Sequence, residues 1–425
     1  MEVFDFSSHR ADVERDVLDR FLRYVTIYTT SDRHSDATPS SSGQWNLSRL
    51  LADELKALGV SDVHLDDQCY LVARLPATPE VAATTPTFGL MAHVDTAPDL
   101  TGNEVKPQVI REYDGKPIRL NDSYSLDPAQ YPALLEYVGE TVITTDGTTL
   151  LGADDKAGVA EIMAAVAVLQ RHPEIPHGPI EIFFTPDEEI GKGMDRFPRN
   201  LVKSEFCYTL DGGDEGTIEA ECFTAYKVEL TFHGMVIHLG DARGKLANAV
   251  TMASTFVSML PRSESPEATD GRFGYYCPLE IRGGLDHAWL EVYLRDFESS
   301  GIERRLQYLE SLSRTIEGAF PGSKVEMKSE KQYLNMRDSL EKRPDVIENL
   351  REAIRLTGME PEMQIIRGGT DGARLTELGV PTPNVFAGGH NMHSRYEWVG
   401  LRAMVRATET AVNLAQLWGR QRPRA

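Results

Sequence analysis

Three apolar runs in this chain each end in side chains able to hold a metal ion: His93-Val94-Asp95, Asp187-Glu188-Glu189 and Asp211-Gly212-Gly213. An Asp at a strand end is most often a turn former, but His and carboxylates at three successive strand ends point to a shared site. Positions i and i+2 of a strand share a face, so Asp95 can point where His93 points and fix the tautomer of a ligating imidazole. The tract Leu151-Gly152-Ala153-Asp154-Asp155-Lys156-Ala157-Gly158 adds two carboxylates just before an Ala-rich stretch, where Asp is also a good helix N-cap. It lacks the spacing of a phosphate-binding P-loop. Gly388-Gly389-His390-Asn391-Met392-His393-Ser394 offers two histidines in a Gly-rich loop, of which at most one is needed. Oxygen and nitrogen donors without Cys suit Zn²⁺, Co²⁺ or Mn²⁺.

The elements that must position these groups follow from periodicity. Residues 87–94, 179–184 and 206–210 read as buried strands, with an Ala-rich helix over 158–171 between the first two. Amphipathic helices over 12–24 and 45–58 flank a Ser/Thr/Pro-rich loop at 29–43. Strands alternating with helices predict an α/β fold, a mostly parallel sheet with helices on both faces. In such sheets ligands bind beyond the carboxyl ends of the strands. Near Glu221 the pattern changes. Residues 226–232 alternate with period two, a helix follows at 248–260, and two alternating strands come at 275–281 and 288–295. A helix at 302–319 and a strand at 324–328 complete a βαββαβ order, that of a ferredoxin-like α+β module. The expected division is a catalytic domain of residues 1–221 and 330–425, closing in a helix at 401–417, and an inserted lid or dimerisation domain of residues 222–329. A period-two strand at the module's edge can pair with its twin, so a homodimer is expected.

Of 425 residues, 44 are Lys or Arg and 65 are Asp or Glu, a net charge of −21. With 41% hydrophobic and 26% charged residues the composition is that of a soluble globular protein, not of a disordered or collagen-like chain. Such acidity argues against a nucleic-acid partner, which needs concentrated basic residues. An acidic chain can hold multivalent cations, although solubility is the commoner reason for the charge. The opening Met1-Glu2-Val3-Phe4-Asp5-Phe6 lacks the basic and apolar regions of a secretory leader. The apolar stretch 162–169 is far below the ~20 residues that span a bilayer, so no membrane partner is expected. Cys69, Cys207, Cys222 and Cys277 form no CxxC pair and read as reduced thiols of a cytoplasmic protein.

Six ordered tracts resemble the dizinc aminoacylase/carboxypeptidase-type metallopeptidases. They are residues 91–96, 144–158, 184–189, 209–213 and 366–372, and the loop around His393. The resemblance implies a zinc-exopeptidase-like fold and five ligands. Asp154, two residues before Lys156, would bridge both ions; His93 and Asp211 would complete one position, Glu189 and His393 the other. It implies Glu188 as general base and Asp95 as the residue orienting His93. Two Zn²⁺ bring four positive charges and the three carboxylates bring three negative ones, which leaves one for a hydroxide to balance. Glu188, beside Glu189 on an extended backbone, is expected to point elsewhere and be free for proton transfer. The family pattern also implies His238 as a lid histidine serving the oxyanion across a dimer interface, though Leu239 stands where a Pro is usual. Arg295 and Arg367 would contact a peptide carboxylate, a task suited to a bidentate guanidinium. The activity implied is release of the N-terminal residue from short peptides. Tracts near 106–108 and 144–151 resemble tripeptide-cleaving members, while His390 stands where an aromatic residue is expected in them. The alternative is another amide hydrolase with the same centre: a dipeptidase, a carboxypeptidase or an N-acyl amino acid deacylase. A noncatalytic metal-holding protein should have lost the base or a ligand, and all six positions are filled here.

Overall fold

In the computed structural model, which describes residues 4–81 and 85–420, the three apolar runs form the strands Phe88–His93, Ile180–Thr185 and Phe206–Gly212. Met1, Glu2 and Val3, on which part of the leader reading rests, lie outside the described residues. All six residues of Phe88–His93 and of Ile180–Thr185 are buried, as strands covered on both faces must be. They belong to an eight-stranded sheet with the order Asp62–Leu65, Leu71–Leu75, Ile180–Thr185, Phe88–His93, Phe206–Gly212, Asn384–Phe386, Thr217–Cys222, Glu362–Ile366. The central four strands run parallel, with Met91 opposite Phe183 on one side and Thr209 on the other, so His93 and Asp211 emerge at one end.

Each face carries its own packing. On one, Met91, Phe183 and Cys207 pack with Leu375 of the helix Asp371–Glu377. On the other, Phe206 meets Trp418 of the helix Leu401–Arg420 with ring centroids 4.1 Å apart, and the Trp418 indole donates to Tyr208 Oη at 3.0 Å. The helix Ala153–Arg171 begins five residues before the expected 158, and its whole interior from Ala157 to Leu169 is buried. Gly158 is what lets it approach the sheet: a Cβ there would fall 1.8 Å from the carbonyl oxygen of Leu210. That contact brings the start of the helix, with Asp154, beside the strand end carrying Asp211.

By contacts the chain forms two compact units, residues 1–220, 338–364 and 370–425 in the first, 221–337 and 365–369 in the second. The second unit is larger than the expected 222–329, because its last strand, Lys324–Tyr333, stays paired to Thr224–His233 along its length. Residues 365–369, expected in the catalytic domain, also belong to it, since Arg367 donates to the carbonyls of Gly271, Phe273 and Thr269. Its sheet has the order Tyr275–Gly283, His287–Asp296, Thr224–His233, Lys324–Tyr333, antiparallel at every pairing. The helices Ala249–Ser258 and Ser299–Ala319 pack on it through Met252, Phe256, Ile302 and Leu309, which completes the ferredoxin-like order. Among the described residues no helix is long and apolar enough to cross a membrane. All four cysteines are free, three of them buried.

Candidate metal centre

Two triplets of donor atoms meet in the first unit at the carboxyl ends of the strands, His93 with Asp154 and Asp211, and Asp154 with Glu189 and His393. Within each triplet the atoms lie within 4.8 Å of one another. His93 Nε2 is 3.0 Å from Asp154 Oδ1 and 3.5 Å from Asp211 Oδ1. His393 Nε2 is 2.9 Å from Glu189 Oε2 and 3.3 Å from Asp154 Oδ2. Asp154 therefore turns one oxygen toward each histidine. Asp155 faces elsewhere, its Oδ2 accepting from the backbone N–H of His93 at 3.1 Å.

Asp95 lies beside the His93 ring and makes further bonds. His93 Nδ1 is 3.3 Å from its carboxylate and 3.1 Å from its backbone oxygen. The same carboxylate accepts from the backbone N–H groups of Glu188 at 3.0 Å and Glu189 at 3.2 Å. Those two residues are not on extended backbone as expected. They open a 3₁₀ turn, Glu188–Ile190, after Asp187 in the left-handed region at φ 59°. The buried Asp187 carboxylate accepts from Ser40 N–H at 2.8 Å and Gln44 Nε2 at 2.7 Å, which fastens the turn to the end of the Ser/Thr/Pro-rich loop. The turn is what separates Glu188 from Glu189. No hydrogen bond or ion pair holds the Glu188 carboxylate among the described residues, whereas Glu189 is drawn to His393.

Electrostatics fit a cation site. Burial raises the Glu188 carboxyl well above its ordinary range, and burial with the Asp154 charge pushes Glu189 up to about 8. Burial likewise raises Asp211. Asp154 moves the other way: burial opposes its charge, but hydrogen bonds from His393 and His93 hold it well below the usual carboxylate range. Bonds to Asp154 and Glu189 raise His393 to about 11. Crowded carboxylates whose mutual repulsion is relieved by imidazolium are groups that a multivalent cation would stabilise as anions. Glu189 Oε1 is buried with no donor among the described residues, a lone pair left for such an ion. All five donors are oxygen or nitrogen.

Other expected residues are not among these donors. His390 stacks on Trp398 at 3.9 Å and sets its Nδ1 3.1 Å from Asp214 Oδ1. His238, Arg295 and Arg367 belong to the second unit. His238 is exposed and its ring accepts from the N–H of Gly240 at 3.2 Å. Arg295 is buried, donates to the Leu294 carbonyl at 3.0 Å, and lies over the Tyr293 ring at 4.8 Å. Three carboxylates escaped the sequence reading. Asp99 Oδ2 lies 3.3 Å from His393 Nδ1, Asp371 accepts from Thr185 Oγ1 at 2.7 Å, and Glu397 bonds the backbone around Asp154. Only Asp371 had a signal, inside the Gly368-Gly369-Thr370-Asp371-Gly372 tract.

The model of peptidase family M20/M25/M40 matches residues 145–417. Peptidase T of Caldanaerobacter subterraneus subsp. tengcongensis is 44% identical over 407 residues, 95% of this chain and 99% of that protein. Among solved structures, a tripeptidase from Staphylococcus aureus superposes with a TM-score of 0.75 at 23% identity, covering 96% of this chain and 99% of its own. A dinuclear metal-binding peptidase of family M20 from Bacillus subtilis does so with a TM-score of 0.66 at 13% identity, over 96% and 98% of the two chains.

Proposed function

The chain belongs to peptidase family M20/M25/M40, and from that premise we propose that it is a metal-dependent aminopeptidase releasing the N-terminal residue from tripeptides. The observation that carries the reading is the sharing of Asp154 between two donor triplets. His93 and Asp211 with Asp154 would hold one divalent cation, and Glu189 and His393 with Asp154 the other; Zn²⁺, Co²⁺ and Mn²⁺ all suit these donors. Bound there, the pair would supply an activated water and a polarised scissile carbonyl. Glu188 takes the proton from the attacking water and passes it to the leaving amine. Its carboxylate has no competing bond among the described residues, and its backbone is held by Asp95. Asp95 also orients the His93 ring. His238, Arg295 and Arg367 are assigned to substrate on the family pattern. For Arg367 this requires giving up bonds to Gly271 and Phe273. Four free cysteines support a reducing compartment, the cytoplasm.

Substrate length tests the reading. The metal-loaded protein is expected to cleave a free tripeptide fastest among the di-, tri- and tetrapeptide of one sequence and to leave its N-acetylated form intact, with products identified by mass. Better cleavage of the dipeptide or of the acetylated peptide would keep the centre and replace the tripeptidase by a dipeptidase or deacylase.

The proposal includes a homodimer through the second unit. Tyr275–Gly283 is an edge strand with Leu279 and Ile281 half exposed, beside Val257 of the helix Ala249–Ser258. An unpaired edge with apolar side chains invites a second copy. Light scattering should give twice the chain mass for the wild type and the single mass for Ile281→Lys. A monomeric wild type would end this part of the proposal.

A further inference from the structure

Glu397 joins two chain segments that lie far apart in sequence. Its Oε2 accepts from the backbone N–H groups of Leu151 at 2.7 Å and Gly152 at 2.8 Å, and its Oε1 from Asp154 at 3.1 Å. These donors need an acceptor. Gly152 sits in the left-handed region at φ 81°, and Asp154 has a non-helical backbone, φ −84° and ψ 104°, inside the first turn of the helix. Their N–H groups are therefore not taken up by regular structure, and buried N–H groups left unpaired are costly. At its other end Glu397 is tied to His393 through a tight loop. Its N–H donates to the Ser394 carbonyl at 3.2 Å, Ser394 Oγ donates to the Asn391 carbonyl at 2.7 Å, and Asn391 Nδ2 donates to the Tyr396 carbonyl at 3.0 Å. Trp398, the next residue, is fully buried in a strand paired with Val142–Thr144. One side chain thus spans from the loop of His393 to the backbone of Asp154.

We infer that Glu397 is a positioning residue that fixes Asp154 relative to His393 and so sets the affinity of the Asp154/Glu189/His393 position for its cation. The inference rests on the metal-centre reading above. The effect is largest at that position: Asp154 is shared between both triplets, but its other partners, His93 and Asp211, are placed by the central sheet, whose register owes nothing to Glu397. His393 stands on a loop, in the left-handed region at φ 59°, with no strand of its own to hold it.

Co²⁺ titration of the metal-free protein, followed by calorimetry and visible absorption, tests this without reference to activity. The wild type should take up two equivalents. Glu397→Gln places an NH₂ group against backbone N–H donors. It should weaken one equivalent by about 10–100-fold, the usual scale for groups that orient ligands, and weaken the other, which shares Asp154, clearly less. Glu397→Asp, which keeps the charge but is one methylene short, should show a smaller shift of the same equivalent and covers the case in which the Gln variant does not fold. A lower melting temperature with both affinities unchanged, or both weakened alike, would overturn the role of Glu397. A wild type that binds fewer than two ions would overturn the metal-centre reading along with it.

Discussion

Asp154→Ala is expected to lose both cations and with them at least about 10³-fold in kcat/KM, the scale of several kcal/mol of transition-state stabilisation. No other single ligand should do as much. Asp154 Oδ1 faces His93 Nε2 at 3.0 Å and Oδ2 faces His393 Nε2 at 3.3 Å, so the substitution removes a donor from each triplet. His393→Ala removes a donor from one only and should leave one ion bound. Metal content after dialysis separates the two: none for Asp154→Ala, one per chain for His393→Ala, two for the wild type. The fold should survive, because the Glu397 bonds run to the backbone of Leu151, Gly152 and Asp154 and not to the lost carboxylate. Two ions retained by Asp154→Ala, with an unchanged far-ultraviolet spectrum, would show that this carboxylate does not bridge.

How much of this centre could be read from the sequence follows from where each residue sits. His93 and Asp211 were legible because buried strands announce themselves by composition, and the crevice rule says which end matters. In Asp154-Asp155 either carboxylate could have faced the two histidines, and only the family pattern chose between them. The structural reason is the bond from the His93 backbone N–H to Asp155, which points that side chain back into the sheet. The turn at Glu188 was missed because an apolar run followed by charge says nothing about a left-handed Asp187. That conformation is held by Ser40 and Gln44, residues over 140 positions away in the chain. Glu397 and Asp99 left no trace for the same reason: each acts through partners outside any local window. The second unit was legible as βαββαβ, since its order lies within one stretch. Arg367 was not, because its partners Gly271 and Phe273 precede it by more than 90 residues.

Glu188 and Glu189 carry the same chemistry at adjacent positions, and their substitutions should fail in different ways. Glu188→Gln keeps size and shape and removes only the ability to accept a proton. It should lower kcat by about 10²–10⁴-fold, the range of general acid–base catalysis, with KM near the wild-type value and two ions still bound. Among the described residues no bond depends on its carboxylate, and the bond from its backbone N–H to Asp95 is untouched, so the melting temperature should not move. Glu189→Gln weakens the donor that faces His393 at 2.9 Å and should lose an ion before it loses a proton acceptor. Its activity should recover at least partly with excess metal, whereas that of Glu188→Gln should not. The measurement is kcat and bound metal for both variants across a Co²⁺ or Zn²⁺ titration. A Glu188→Gln protein that regains full kcat at high metal would mean that this residue holds an ion, and the proton acceptor would then have to be sought elsewhere in the cluster.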